Sequence, residues 1–357
     1  MRVLLLFTLI LIITISSCGS KDEYNVVTVK GFPSNIDLYG ERVPITDMPL
    51  CGSEVWIIDT LLLLKNEAEE CGGPYFFVYN LKTLDLLVKF GDHGRGPGEF
   101  TNVSFLGQHY IDKEGIKILL NKMPPRSIEV VDLTATIELG RLVIDRSILL
   151  PEKIGSAFDY YMLSDSSFLG RGMMIEGRFF HYNNGSMAFS PFYPDLPREI
   201  PSDFKHNLYA GRSSLSRDND LFASALIFFK QIDVYGPELT HQFSIKFPDS
   251  PDDIDFYRDE AMGADLDYFY RDIHVSDSYI YALYHGVKYN EADSKDYGHS
   301  EIHLFSLQGE PIAKYTLNHT LYSITSTDDD RFLYGIAGFQ GDDTPYLPVV
   351  RFYLPEL

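Results

Sequence analysis

The chain has 357 residues, 45% of them hydrophobic, and its 51 Asp and Glu against 30 Lys and Arg give a net charge of -21 at pH 7. That apolar content can build a proper core, which excludes a disordered chain. The acidic balance excludes nucleic acid and anionic lipid headgroups as favoured partners, because both are held by basic faces that release counterions.

The first element in chain order is a leader. Met1 and Arg2 precede an apolar run over residues 3–15, broken only by Thr8 and Thr14, and then come Ser16, Ser17, Cys18, Gly19 and Ser20. A short charged start, an apolar stretch and a small-residue zone make a secretory signal. At about 1.5 Å per residue the run forms a helix of roughly 20 Å, short of the ~30 Å hydrocarbon layer, so a spanning helix is disfavoured. Ile15, Ser16, Ser17 and Cys18 resemble a lipobox, which implies that residues 1–17 are removed and that Cys18 carries the lipid at the new N-terminus. Residues 18–24 are then a lipidated tether, and the membrane is a partner through that lipid. Lys21, Asp22 and Glu23 resemble the lysine-plus-acids tag of some Bacteroidetes surface lipoproteins. The expected location is therefore the outer membrane, exposed at the cell surface, with its periplasmic face as the alternative. Loss of the leader removes one charge, that of Arg2, and takes the net from -21 to -22. With Cys18 lipidated, Cys51 and Cys71 remain in an oxidising compartment, either as a disulfide or as two separate buried thiols.

Residues 25–357 read as a single domain of strands. The 24 Tyr and 25 Phe lie mostly in short apolar or alternating segments between turn residues, and helical periodicity is scarce. The clearest strands cover residues 55–64, 75–80, 84–90, 116–120, 127–132, 225–235, 279–284, 302–307, 331–337 and 349–354. Their grouping repeats: a strand, a polar turn, an aromatic strand, a second turn and a closing strand. Such a unit about every 45 to 60 residues is the period of a propeller blade. Blades are expected near residues 34–100, 101–150, 151–204, 205–265, 266–318 and 319–357. The last is one strand short, and residues 24–30 form a strand with no local partner. The sequence therefore predicts an all-β, six-bladed β-propeller of four-stranded antiparallel blades. Its N-terminal strand completes the last blade, which also removes an exposed sheet edge.

Residues 90–100, Phe-Gly-Asp-His-Gly-Arg-Gly-Pro-Gly-Glu-Phe, form the most specific segment of the domain. Four glycines and a proline supply turns and close backbone approach. The segment resembles the inter-blade connection of NHL-type propellers and, more closely, of the TolB-like six-bladed propeller lipoproteins of Bacteroides and its relatives. It departs from their pattern in occurring once and not at every blade. The resemblance implies fold and compartment more than chemistry. Gly94, Gly96, Pro97 and Gly98 are read as the structural junction, and His93 and Arg95 as candidate ligand contacts at the end of the ring. A phosphate-cradling loop is rejected, because no helix pattern follows Phe100 to present its N-terminus to an anion.

Other constellations carry little chemistry. Asp249, Asp252, Asp253 and Asp255, and again Asp328, Asp329 and Asp330, crowd two loops, yet neither has the carboxylate ladder of a calcium loop. His274, His285, His299 and His303 share one expected blade without zinc-ligand spacing. No Gly-x-Ser-x-Gly elbow is present. The aromatic segments are read as blade filling, with Tyr193 and Tyr270 as the candidate exceptions that reach a ligand. No metal and no cofactor is expected. The expected function is a lipid-anchored, non-catalytic binding or assembly module for a protein, peptide or glycan. The alternative is a glycan-active hydrolase or lyase at the central channel. Buried carboxylates and His in the channel favour catalysis, and an aromatic channel favours binding.

Overall fold

Apolar runs that alternate with short polar turns fold as hairpins, and here the hairpins associate into six sheets arranged as a ring. The computed structural model describes residues 24–357 apart from 125, 156, 173–175, 198, 255–264, 292–298 and 339–347. Cys18, the lipidation candidate, and Asp255 lie outside the described residues.

Blade one contains Gly52–Ile58, Leu61–Asn66, Pro74–Asn80 and Leu86–His93, with the short strand Glu99–Phe100 added at its edge. Blade two runs from Val103–Asp112 to Ile144–Leu149, and blade three from Ala157–Ser164 to Ser186–Phe189. Blades four and five begin with Gly211–Leu215 and Asp267–Val275 and end with His241–Lys246 and Pro311–Leu317. Blade six holds Leu321–Ser326, Phe332–Ala337 and Val349–Tyr353. The six blades fall within the six segments that the sequence repeat marks out. Residues 55–64, read as one strand, are a hairpin: Ile58 pairs with Leu61 across Asp59 and Thr60. Residues 225–235 likewise divide into Phe222–Leu226 and Gln231–Tyr235.

The core lies between blades, because a four-stranded sheet has two apolar faces and only its neighbours to cover them. Phe76, Val78 and Phe90 of blade one pack with Phe105, Ile118 and Leu120 of blade two. Leu283, Leu304 and Tyr315 of blade five pack with Leu333 and Phe352 of blade six. Val55, Leu62 and Leu64 meet Tyr334, Ile336 and Val349, which closes the ring from blade one to blade six. A fully buried Leu or Phe contributes about 1.5–3 kcal/mol, so these interfaces supply most of the cohesion.

The N-terminal segment closes the last blade, by a strand other than the one expected. Glu41–Arg42 pairs with Val349–Tyr353, and Val43 N–H donates to the Val349 carbonyl at 2.9 Å. Residues 24–30 do not reach blade six: Val26–Thr28 lies parallel to His241–Lys246 on the outer edge of blade four. Between them, Asn35–Leu38 lies parallel to Pro311–Leu317 on blade five. The segment is thus a strap across three blade edges. The two-residue closing strand carries no apolar pattern, which is why the better-patterned residues 24–30 were the sequence candidate.

Candidate functional site

The first strand of each blade lines a central channel with a volume of about 540 Å³. These inner strands are held to one another by side chains that take up main-chain groups of the next blade. Gln108 of blade two accepts from Met162 N–H at 2.7 Å and donates to Met162 O at 2.9 Å on blade three. Ser214 Oγ accepts from Val275 N–H at 3.2 Å, joining blades four and five. Asp272 accepts from Ile324 N–H at 2.9 Å, joining five and six, and Ser323 Oγ accepts from Val55 N–H at 3.4 Å, joining six to one. Polar residues on the inner strands therefore build the wall as well as face the channel.

Toward the start of the inner strands the lining includes Glu54, Glu67, Arg212, Arg271, Asp272 and Trp56, the chain's single tryptophan. Lys65 holds Glu67 at 3.1 Å and Glu54 at 3.9 Å. Burial pushes the Asp272 carboxyl up to about 6; Arg212 and the Ile324 and Ile273 N–H groups oppose the rise, and Glu54 adds to it. The Arg212 guanidinium is wetted by the channel and enclosed by its walls. Enclosure favours its loss of charge, but Glu54, Asp272, Tyr268 and Asp159 outweigh that and raise its pKa. Arg271 stands over the Tyr322 ring at 5.0 Å.

Where the inner strands end, Arg217 pairs with Asp328 and lies 4.0 Å from Asp277. Burial and the nearby Arg217 push His274 down to about 4, so it is neutral at pH 7. His109 is also lowered, chiefly by burial, and its Nδ1 lies 3.0 Å from the Gly107 carbonyl. A carbonyl can only accept, so Nδ1 carries the hydrogen and Nε2 remains an acceptor. Among the described residues no three His, Cys, Asp or Glu side chains are grouped to hold a metal ion.

The ligand contacts read from the sequence lie elsewhere, whereas His274 and Asp328, named there and set aside, line the channel. His93, the last residue of Leu86–His93, and Arg95, on the loop that follows, are exposed and do not line the channel; His93 Nδ1 is 3.4 Å from the Tyr75 hydroxyl. In that loop Gly91 and Gly98 have φ of 77° and 80°, Gly96 N–H donates to Glu99 Oε2 at 2.7 Å, and Gly94 N–H donates to the Phe100 carbonyl at 2.9 Å. A Cβ at Gly94 would collide with the Glu99 carboxylate, and Pro97 sits exposed at the tip. Tyr193 stacks on Tyr24 at 3.9 Å between ring centroids. Tyr270 is a correction: it is fully buried, with its hydroxyl 3.2 Å from His303 Nδ1, so it fills the core and reaches no ligand. Cys51 and Cys71 form a disulfide with Cα atoms 6.1 Å apart, which ties the start of the first inner strand to the short helix Ala68–Cys71. Sequence reasoning missed the channel charges. The available signal was an Arg271-Asp272-Ile273-His274 run inside the aromatic strand Asp267–Val275, since charges are not needed to fill a sheet.

A closed ring of six four-stranded blades around a central channel defines a six-bladed β-propeller. The chain belongs to the TolB-like six-blade propeller family, whose model matches residues 55–329. Among solved structures it is similar to a DUF4221-family protein from Bacteroides vulgatus, with a TM-score of 0.59 and 11% identity over 89% of this chain and 97% of that one. It is also similar to a luciferin-regenerating enzyme, with a TM-score of 0.48 and 11% identity over 88% and 95% of the two chains. A calcium-binding regucalcin from Agrobacterium tumefaciens follows at 0.46 and 12%, over 89% and 95%. None of the curated proteins matches the chain.

Proposed function

We propose that the protein is a non-catalytic binding module of the cell envelope, tethered through lipid on Cys18 and taking a ligand at the mouth of its channel. The observation that carries the binding reading is the commitment of the channel acids. Glu54 and Glu67 are held by Lys65, Asp272 by two main-chain N–H groups, and Asp328 by Arg217. Carboxylates occupied in this way maintain the wall. The lipobox-like Cys18 and the acidic tether support placement at the outer membrane.

Intact mass of the membrane-extracted protein beside its Cys18→Ala variant, with protease accessibility on whole cells, tests the anchor and its exposure. A lipid-sized increment absent from the variant, with cleavage in unbroken cells, is the expected result. An unlipidated N-terminus refutes the anchor, and full protection moves the protein to the periplasmic face. Glycan cleavage is the second reading, favoured by an Asp272 carboxyl that titrates near 6 beside Glu54. It requires turnover of a glycan by the native protein that Asp272→Asn abolishes.

A further inference from the structure

Among the described residues, the arginines set into the blades and the channel wall have protein partners, and Arg212 stands apart. Arg178 pairs with Asp233 and donates to Ser224 Oγ at 3.0 Å; Arg171 donates to Asp159 at 2.5 Å; Arg126 donates to the Ala157 carbonyl at 3.0 Å. Arg217 pairs with Asp328, and Arg271 donates to the Tyr268 hydroxyl at 3.4 Å. Arg212 makes no hydrogen bond and no ion pair with any described residue, although it lines the channel. Its backbone is fixed: Gly211 and Arg212 pair with Leu226 and Ala225, and a side chain at Gly211 would strike the Ala225 carbonyl. The nearest acids cannot serve it fully, because Lys65 holds Glu54 and main-chain N–H groups hold Asp272. The five donors of this guanidinium are unpaired by any described residue, and a ligand carboxylate would meet them with matched, two-point geometry.

What else lines the channel narrows the ligand. Trp56, two residues along the inner strand from Glu54, whose charge acts on Arg212, lines the same cavity and packs edge-on against Phe105 at 4.9 Å; the wall also carries Ser214 and Ser323, whose hydroxyls accept a main-chain N–H and keep their own hydrogen to donate. An aromatic plane, hydroxyl partners and one guanidinium together suit a pyranose that bears a carboxylate. The flanking Glu54 and Asp272 weigh against a dianion, so a singly charged acid suits the site better than phosphate. A cavity of about 540 Å³ accommodates a small ligand.

We propose that the channel binds a sugar acid of the hexuronate class, with Arg212 receiving its carboxylate and Trp56 lying beside its ring. This rests on the binding reading above and names the ligand class for that same site. Because Trp56 is the only tryptophan, its fluorescence reports the channel alone. The test titrates the full-length protein with glucuronate, glucose and inorganic phosphate, in the native form and as Arg212→Gln, with far-UV circular dichroism confirming that the variant is folded. Saturable quenching by glucuronate, at least tenfold weaker for glucose and for phosphate, and weakened about ten- to a hundredfold in Arg212→Gln is the expected result. Equal responses to glucose and glucuronate, equal responses to phosphate, no saturable response, or an unaffected Arg212→Gln variant each overturn the proposal. Mass spectrometry of the glucuronate after incubation separates the two readings. Chemical conversion overturns non-catalytic binding while leaving the Arg212 assignment intact, and failure to bind leaves the envelope reading standing without this ligand.

Discussion

Replacing Asp272 by Asn gives a direct measure of what the channel does to charge. In the folded protein this carboxyl is pushed up to about 6 from its ordinary 3.8, chiefly by loss of water. The native state therefore binds the proton more tightly than the unfolded chain does. Stability from this group is fully present below pH 3.8 and is lost as pH rises through 6. The span from 3.8 to 6 is worth about 3 kcal/mol, and water in the channel trims it. Asn carries no charge at any pH, so the variant lacks this dependence. Urea unfolding of both proteins at pH 4 and pH 7.5 isolates the effect, because the fixed cost of altered hydrogen bonds to Ile324 and Ile273 cancels in the difference. The variant is expected to gain about 2–3 kcal/mol relative to the native protein on going from pH 4 to pH 7.5. An equal stability gap at both pH values, or a gap moving the other way, would refute the account of Asp272 as a carboxyl disfavoured by its enclosure.

His274→Gln is expected to act in the opposite sense. Its folded pKa of about 4 against an ordinary 6.5 supplies stability above pH 6.5 that is lost as pH falls toward 4, and the variant should show a flatter acid limb in thermal melts between pH 4.5 and 7.5. In the junction loop, Gly98→Ala meets only Leu142 at an ordinary 3.9 Å and pays for its positive φ, about 1 kcal/mol. Gly91→Ala has the same φ problem and also sets a Cβ 3.0 Å from the Phe100 ring, so its denaturation midpoint should fall clearly further. Equal midpoints would show that Phe100 shifts without cost.

The parts of the fold legible in the sequence were mostly second and third strands, in every blade but the third, where Ser167–Gly172 and Phe180–Asn183 were not marked. Leu61–Asn66 and Pro74–Asn80 are covered on both faces, so apolar residues run almost without break. The inner strands were nearly invisible for the same physical reason reversed. Val103–Asp112 carries Ser104, Gln108 and His109, and Gly211–Leu215 carries Arg212, Ser213 and Ser214, because one edge faces water and must also hydrogen-bond the adjacent blade. The strands that make the site are thus those whose pattern is least strand-like. Tyr270 shows the converse error: an aromatic read as lying at a loop end invited a ligand role, yet its hydroxyl finds a partner in His303 and the ring is buried. Trp56 was passed over inside an apolar run, where only the turn at Asp59 and Thr60 reveals that it lies on an inner strand.

The strap across blades four, five and six also governs how the ring comes together in time. Asn25 bonds to Gln242 and Gly40 to Asn318, contacts separated by 217 and 278 residues. Closing a chain over such distances costs about 5 kcal/mol in lost conformational freedom before any pairing is gained. These residues also leave the ribosome before any of their partners exist. Until the strap docks, the outer edges of three blades present unpaired strands to whatever else is in the compartment, as an invitation to aggregate. Assembly is therefore expected to be slow and to finish, not begin, with the first part of the domain to be synthesised.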